Sequence, residues 1–199
     1  MNDPKIIVIE GPDRVGKQTQ TRLLRDHIRS MGYRAETIEV PIRSAITYRL
    51  IYWMLQNGLA KKLPKVFQYL QYLNRKIFQL TTLKLLSFTN NYLIFDRWSL
   101  STVVYGSASG LSEEFTVGLM SRLKTPDHTF ILYGKSYMKE AEDVYESDSV
   151  LQTKVGESYA LWANRYPQSN TLINCNHDKM LISKKIRMKL ESLNILPEM

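Results

Sequence analysis

Four apolar residues, Ile6-Ile7-Val8-Ile9, run into Glu10 and Gly11, and after Pro12-Asp13-Arg14-Val15 come Gly16 and Lys17. This G-x-x-x-x-G-K spacing, set between an apolar run and a helical pattern, admits few folds. A buried strand must deliver the chain to a tight glycine turn, and a helix must begin on its far side. The N–H groups of such a turn converge on a phosphate, and the positive end of the helix dipole adds to the attraction. The apolar run lacks polar alternation, as central strands of parallel sheets do. Beyond the loop, Leu24, Ile28 and Met31 recur at helical spacing, and Gly32 stands where a helix C-terminus favours glycine. Gly11, Gly16 and Lys17 are thus candidate phosphate ligands, with Lys17 reaching the outer phosphates. Position 18 is Gln, where the motif ordinarily has a hydroxyl for Mg²⁺.

Further apolar or β-rich runs occur at 34–39, 91–96, 128–133 and 170–174, with helical stretches between them. Strand and helix in alternation imply an α/β fold, a doubly wound parallel sheet that binds its ligand at the carboxyl ends of the strands. The 199 residues suffice for a single domain spanning 1–199, with the charged stretch 134–149 expected to be a mobile lid. The gap from 41 to 90 is expected to hold two helices. The second, 64–87, shows an apolar stripe of Val66, Leu70, Leu73, Ile77 and Leu80, and the region is rich in aromatics that suit a core or a subunit interface.

Lys and Arg total 27 against 19 Asp and Glu, a net charge of +8 that suits polyanionic partners without choosing among them. Much of this charge lies at 179–189, where Ile182, Ile186 and Leu190 mark one buried stripe of a terminal helix. The single cysteine, Cys175, permits no internal disulfide and fits a reducing, cytoplasmic setting. The N-terminus has no signal-peptide pattern, no apolar run reaches the ~18 residues of a membrane span, and the three histidines are too scattered for a zinc site.

The residues after the other strands carry further candidates. Asp96 closes the third run, where an acid beside a phosphate loop can organise a metal and its waters, and Arg97 can fork onto a second phosphate. Arg43 stands on a turn after the second run. Arg75 lies two positions from both Leu73 and Ile77, which points it away from the apolar stripe, with Gln71 one turn before it.

The ordered set Gly-Pro-Asp-Arg-Val-Gly-Lys-Gln-Thr-Gln, Pro41-x-Arg43, Asn74-Arg75, Asp96-Arg97-Trp98, Ser101, Tyr105 and Pro126-Asp127 resembles the thymidylate kinase family over nearly the whole chain. The resemblance implies a P-loop sheet of five strands in order 2-3-1-4-5, a homodimer, and transfer of the ATP γ-phosphoryl group to dTMP with Mg²⁺. It implies that Gly11, Asp13, Arg14, Val15, Gly16, Lys17, Gln18 and Thr19 line the ATP phosphates, Arg14 neutralising charge on the transferred group. By the same resemblance Asp13 meets the deoxyribose 3′-OH, and Arg43 and Arg97 hold the dTMP phosphate. Arg75 and Ser101 meet the base, Gln71 stands where many members stack a Phe on it, and Tyr105 crowds the 2′ position. Tyr145 in the lid matches a family Tyr-Glu pair, and Gln18 and Asp96 would serve the metal. The competing readings are a kinase for another or modified deoxynucleoside monophosphate, a catalytically weak nucleotide-binding P-loop protein, and a nucleic-acid-binding module resting only on charge.

Overall fold

The computed structural model describes residues 3–134 and 149–197. Ile6, Ile7, Val8 and Ile9 are almost wholly buried because their strand, β1 (Lys5–Glu10), is covered on both faces. β2 (Ala35–Glu39), β3 (Tyr92–Asp96), β4 (His128–Tyr133) and β5 (Asn170–Asn174) complete a parallel sheet in the order β2-β3-β1-β4-β5. The five apolar runs of the sequence are thus the five strands, and β1 lies between β3 and β4, Ile9 pairing with Asp96 and Phe130.

The period-two alternation of side chains divides the core. Ile7 and Ile9 face α1 (Lys17–Ser30) and α9 (Lys179–Ser192), where Leu24, Ile28, Ile182, Ile186 and Leu190 bury their stripes. Gly32, with φ 85°, follows α1 at its expected end. Ile6 and Val8 face the opposite side, against Trp98, Phe78 and Tyr72. A third cluster joins α6 (Leu100–Ala108) to α8 (Ser149–Arg165) through Val103, Val104, Val155 and Tyr159. Between α6 and β4 runs α7 (Glu113–Met120), capped by the Ser112 hydroxyl, which accepts from Phe115 N. Among the described residues, no helix is long and apolar enough to cross a membrane. All of the 134–149 stretch expected to be a lid, apart from its two end residues, lies outside the described residues.

The region between β2 and β3 departs from expectation. It holds four helices, not two: α2 (Tyr48–Gln56), α3 (Leu59–Lys62), α4 (Pro64–Leu80) and α5 (Thr82–Thr89). Gly58 in a left-handed conformation starts α3, Pro64 occupies the first turn of α4, and Thr81 breaks α4 from α5. The apolar stripe on α4 does not face the core as a whole: Leu70 and Leu73 are partly buried against it, but the other three residues point outward. Val66, Ile77 and Leu80 are 50%, 37% and 66% exposed, whereas Phe67, Gln68, Tyr72, Asn74, Arg75 and Phe78 are buried. The inward face of α4 is chosen by polar and aromatic residues with work to do, so apolar periodicity marked chiefly the outer face.

Candidate active site

The loop from Gly11 to Gly16 crosses the carboxyl end of the sheet between β1 and α1. Gly11 has φ 143°, and a Cβ there would lie 2.4 Å from the Leu132 carbonyl oxygen, so only glycine lets the loop press against β4. Val15 is buried and anchors the loop in the core. Arg14 and Gly16 both take left-handed backbone, with φ 65° and 87°. Gly16 is the N-cap of α1 and has no side chain to satisfy the N–H groups of the first turn, which leaves them to an anion. Lys17 is buried, and its Nζ donates to the Pro12 carbonyl at 2.6 Å. Burial, foremost, and the neighbouring Arg97 charge pull its ammonium down to about 8, against the opposing carboxylates of Asp13, Asp96 and Glu10. Gln18 and Thr19 are exposed on the first turn of α1.

β3 delivers Asp96 and Arg97 beside this loop. Arg97 has φ 67°, an uncommon state for a residue with a Cβ, and its N–H donates to Ile9 O at 3.0 Å. This turn aims the guanidinium back over the loop. Its Nη2 pairs with Asp13 and donates to the Tyr105 hydroxyl at 3.0 Å, while Nη1 donates to Tyr159 at 3.2 Å and more weakly to Ser101 at 3.4 Å. Asp13 Oδ2 also accepts from Tyr105 at 2.9 Å and from Gln152 at 2.8 Å. Burial pushes the Asp13 carboxyl up, but the charges of Arg97 and Lys17 outweigh it and hold the group at about 2. Asp96 is pushed the other way, upward, by burial above all, with the charges of Lys17 and Arg97 opposing.

A cavity of about 160 Å³ opens next to this cluster, with Asp13, Arg97, Ser101 and Tyr105 on one side and Gln71 and Arg75 from α4 on the other. Arg75 is 3% exposed. Its Nη1 donates to Gln71 Oε1 at 3.3 Å, and its Nε is buried with no hydrogen-bond partner. Burial draws its pKa down to about 10, with Glu10 and Tyr159 pulling upward. A solvated helix arginine does not behave this way; this one is a buried donor aimed at an empty space.

Of the residues expected at the site, Asp13, Gln71, Arg75, Arg97, Ser101 and Tyr105 converge on one cavity. Arg43 does not: it is exposed and pairs with Glu39, four residues earlier at the end of β2, at 3.4 Å. An arginine on a loop with no buried acceptor drawing it inward takes the nearest surface carboxylate, a contact worth well under ~1 kcal/mol. Tyr145 lies outside the described residues. Sequence reasoning missed Leu55, Phe67 and Gln68, which also line the cavity, as does Pro41 of the Pro41-x-Arg43 turn. It also missed Glu10, Gln152 and Tyr159. Glu10 could have been found, since an acid ending an otherwise apolar, doubly covered strand must have buried partners. Gln152 and Tyr159 carry no local signal, because α8 reaches the site only through tertiary packing.

Among the described residues, no group of three or more His, Cys, Asp or Glu is arranged to hold a metal ion by protein ligands alone. Asp96 and Gln18 flank the loop and offer hard oxygen donors, which suits a small cation that keeps most of its waters and takes substrate phosphates as ligands.

A sequence profile described as thymidylate kinase matches residues 9–185. The chain is similar to the thymidylate kinase of Plasmodium falciparum, with 24% identity over 205 aligned positions that cover 96% of this chain and 95% of that one. It is 30% identical to the thymidylate kinase of an African swine fever virus isolate over 138 positions, covering 68% of this chain and 54% of the viral one. A solved thymidylate kinase from Candida albicans superimposes with a TM-score of 0.76 at 22% identity, covering 96% of this chain and 93% of that one.

Proposed function

The chain belongs to the thymidylate kinase family, and on that premise we propose that it phosphorylates dTMP to dTDP with ATP as donor. One observation carries the choice of acceptor site: a buried arginine, Arg75, with only a neutral amide as partner, facing the same cavity as Asp13 and Arg97. A guanidinium buried without a carboxylate in contact is costly unless a ligand completes it. The carbonyl edge of a pyrimidine is such a ligand, because Arg75 offers donors only. Asp13 is ionised and suits a sugar hydroxyl, while Arg97 suits the acceptor phosphate as a bidentate fork.

In the transfer, an oxygen of the dTMP phosphate attacks the γ-phosphorus of ATP, the bond to the β,γ-bridging oxygen breaks, and ADP leaves. The acceptor oxygen is already ionised, so no general base is needed. What the protein must supply is alignment and positive charge. Gly11, Gly16 and the first turn of α1 offer N–H groups to the donor phosphates, with Asp13, Val15, Gln18 and Thr19 completing the loop. Lys17 and Arg14 add cationic charge there, and Arg97 holds the acceptor. Asp96 and Gln18 would hold Mg²⁺, which would supply positive charge against the donor phosphates. Arg43 reaches the acceptor phosphate only by leaving Glu39, a small cost beside a charge-assisted bond to phosphate. Tyr145 remains a proposed acceptor contact on the family resemblance alone.

Gln71 favours a second acceptor class. An amide at the base-facing turn of α4 recognises hydrogen-bonding edges where an aromatic ring would stack, so a modified deoxyuridine monophosphate is the alternative acceptor. The exposed stripe on α4 supports a homodimer, and the lone Cys175, a buried thiol that donates to Tyr133 O, supports a reducing, cytoplasmic setting.

ADP release with ATP, Mg²⁺ and a panel of dTMP, dUMP, dCMP, dGMP, dAMP and UMP tests the proposal. Turnover is expected with dTMP and is expected to collapse in Lys17→Ala. Preference for another acceptor would move the specificity to the Gln71–Arg75 face, and ATP binding without turnover on any acceptor would overturn the kinase reading.

A further inference from the structure

Arg97 is gripped from two sides. On one side stand Asp13 and Tyr105, groups assigned above to the acceptor sugar. On the other, Nη1 meets the hydroxyls of Ser101 at 3.4 Å and Tyr159 at 3.2 Å. Both hydroxyls end on one atom, Glu10 Oε2, each at 2.7 Å. The other carboxylate oxygen, Oε1, accepts from the backbone N–H of Trp98 at 2.8 Å and of Ser101 at 3.2 Å. Glu10 is completely buried, and among the described residues no ion pair reaches it.

Proton bookkeeping fixes the direction of every bond in this cluster. Each hydroxyl has a single proton, and its 2.7 Å contact to the Glu10 oxygen is shorter than the 3.1 Å contact between Ser101 Oγ and Tyr159 OH. Both protons therefore point at Glu10, which turns oxygen lone pairs of both hydroxyls toward Arg97. One backbone donor, Trp98, lies just before α6 and the other, Ser101, in its first turn, so the same carboxylate also ties β1 to the start of that helix. Tyr159 comes from α8, whose Gln152, two turns earlier on the same face, holds Asp13 through both ends of its amide, at 2.8 Å and 3.3 Å.

We propose that Glu10 and Tyr159 are positioning residues for the acceptor: Glu10 orients the Tyr159 and Ser101 hydroxyls as acceptors, and these set the plane in which Arg97 meets the acceptor phosphate. The inference rests on the proposed function for the identity of that phosphate, but the grip on Arg97 is independent of it. It makes an unusual demand on Glu10. Gln has the same shape, yet its NH₂ group must face either two backbone donors or two hydroxyls. In the first case donors clash; in the second the hydroxyl protons turn toward the Arg97 cation. An isosteric change should therefore be damaging.

The test compares Tyr159→Phe, Glu10→Gln and a packing control, Val155→Ala, on the same helix and equally buried. In Tyr159→Phe, which keeps the ring and its burial, KM for dTMP is expected to rise about tenfold, the scale of one lost charge-assisted hydrogen bond. KM for ATP should stay within about twofold, and melting should be near wild type. Glu10→Gln should show the same split, more strongly. Val155→Ala should lower the melting temperature without the split. In an Arg97→Ala background Tyr159→Phe should add nothing. Equal changes in both KM values, or additive effects with Arg97→Ala, would overturn the proposal. Nitrogen NMR of the Arg97 guanidinium supplies a readout without turnover: hindered rotation in the wild type, faster in Tyr159→Phe although Asp13, Tyr105 and Ser101 still hold the group, is the expected result, and the same rotation rate in both would sink it. If the wild type turns over no acceptor, the proposed function falls, while this NMR result still decides whether the grip exists.

Discussion

Asp13 keeps a charge that its burial alone would remove. Its folded pKa, about 2, lies below the ordinary 3.8, and Arg97 and Lys17 are the cause. A depressed acid stabilises the folded protein above its unfolded pKa and loses that contribution as pH falls through the folded one. The stability gap between wild type and Asp13→Asn is therefore expected to narrow between about pH 4 and pH 2, by about 2 kcal/mol in denaturant titrations. Lys17 behaves in the opposite sense. Its ammonium is held at about 8, chiefly by burial and then by Arg97. The unfolded chain binds that proton up to about 10.5, so the stability cost of burying the charge is present below pH 8 and fades as pH rises above it. Calorimetry of ATP binding should then register proton uptake near pH 8, as the phosphates restore the ammonium, and affinity should fall at higher pH. No uptake would mean that Lys17 is not the phosphate ligand. Gly11→Ala places a methyl on the Leu132 carbonyl in a backbone that L-residues rarely adopt, and a loss of about 2 kcal/mol or more in chemical unfolding is expected.

Elements differ in how far they can be read before they fold. The three central strands were legible because each is covered on both faces and so is largely apolar, whereas the edge strands, Ala-Glu-Thr-Ile-Glu in β2 and Asn-Thr-Leu-Ile-Asn in β5, are only partly buried and were marked by β-rich residues and by their place in the alternation. α1 and α9 were legible because one apolar stripe faces one sheet. α4 was not. Its inner face must hold Asn74, whose amide takes Ile42 N at 2.7 Å and donates to Ile42 O at 3.1 Å, and Arg75, kept for the cavity. A helix whose buried face is partly polar while its outer face is apolar defeats any rule that equates apolar with inward. Val66, Ile77 and Leu80 on α4 and Leu85 and Phe88 on α5 are exposed, and the proposed homodimer would cover apolar surface of this kind. Ile77→Asp is expected to convert a dimer to a monomer in sedimentation velocity while leaving far-UV circular dichroism unchanged; a wild-type monomer would remove the interface reading. The site shows the same division. Residues drawn from the phosphate loop, the end of β3 and α6 sit close to recognisable local patterns. Glu10, Gln152 and Tyr159 acquire meaning only when α8 is laid beside β1.

For the molecule as a whole, the charge of +8 matters less than where it converges. Lys17 and Arg75 are buried cations and Arg97 is only 13% exposed, all at one end of the sheet, where their field is least screened. Surface lysines such as Lys184 and Lys185 are bathed in counterions. Nucleotide association should slow as ionic strength rises from low to physiological values, readable as a falling second-order rate constant in stopped flow. Random duplex DNA, which meets only the solvated charge, is expected to be released at physiological salt in the same buffer; retention there would revive a nucleic-acid role.

The pairing of Ile9 with Asp96 has a further consequence. In the proposed function the donor and acceptor groups leave the sheet from neighbouring strands, β1 and β3, that are hydrogen-bonded in register up to the point of departure, and such strands stand about 4.8 Å apart. The ladder is in effect a ruler laid between the two substrates. The helices on either side can carry Gln18 in place of a hydroxyl, or Gln71 in place of a ring, without moving the marks on it. A single-step slip between β1 and β3, by contrast, would shift one substrate by a residue and turn its arginine to the other face. The distance across which a phosphoryl group must pass is therefore a property of backbone pairing, and it persists while the side chains that choose the substrate change.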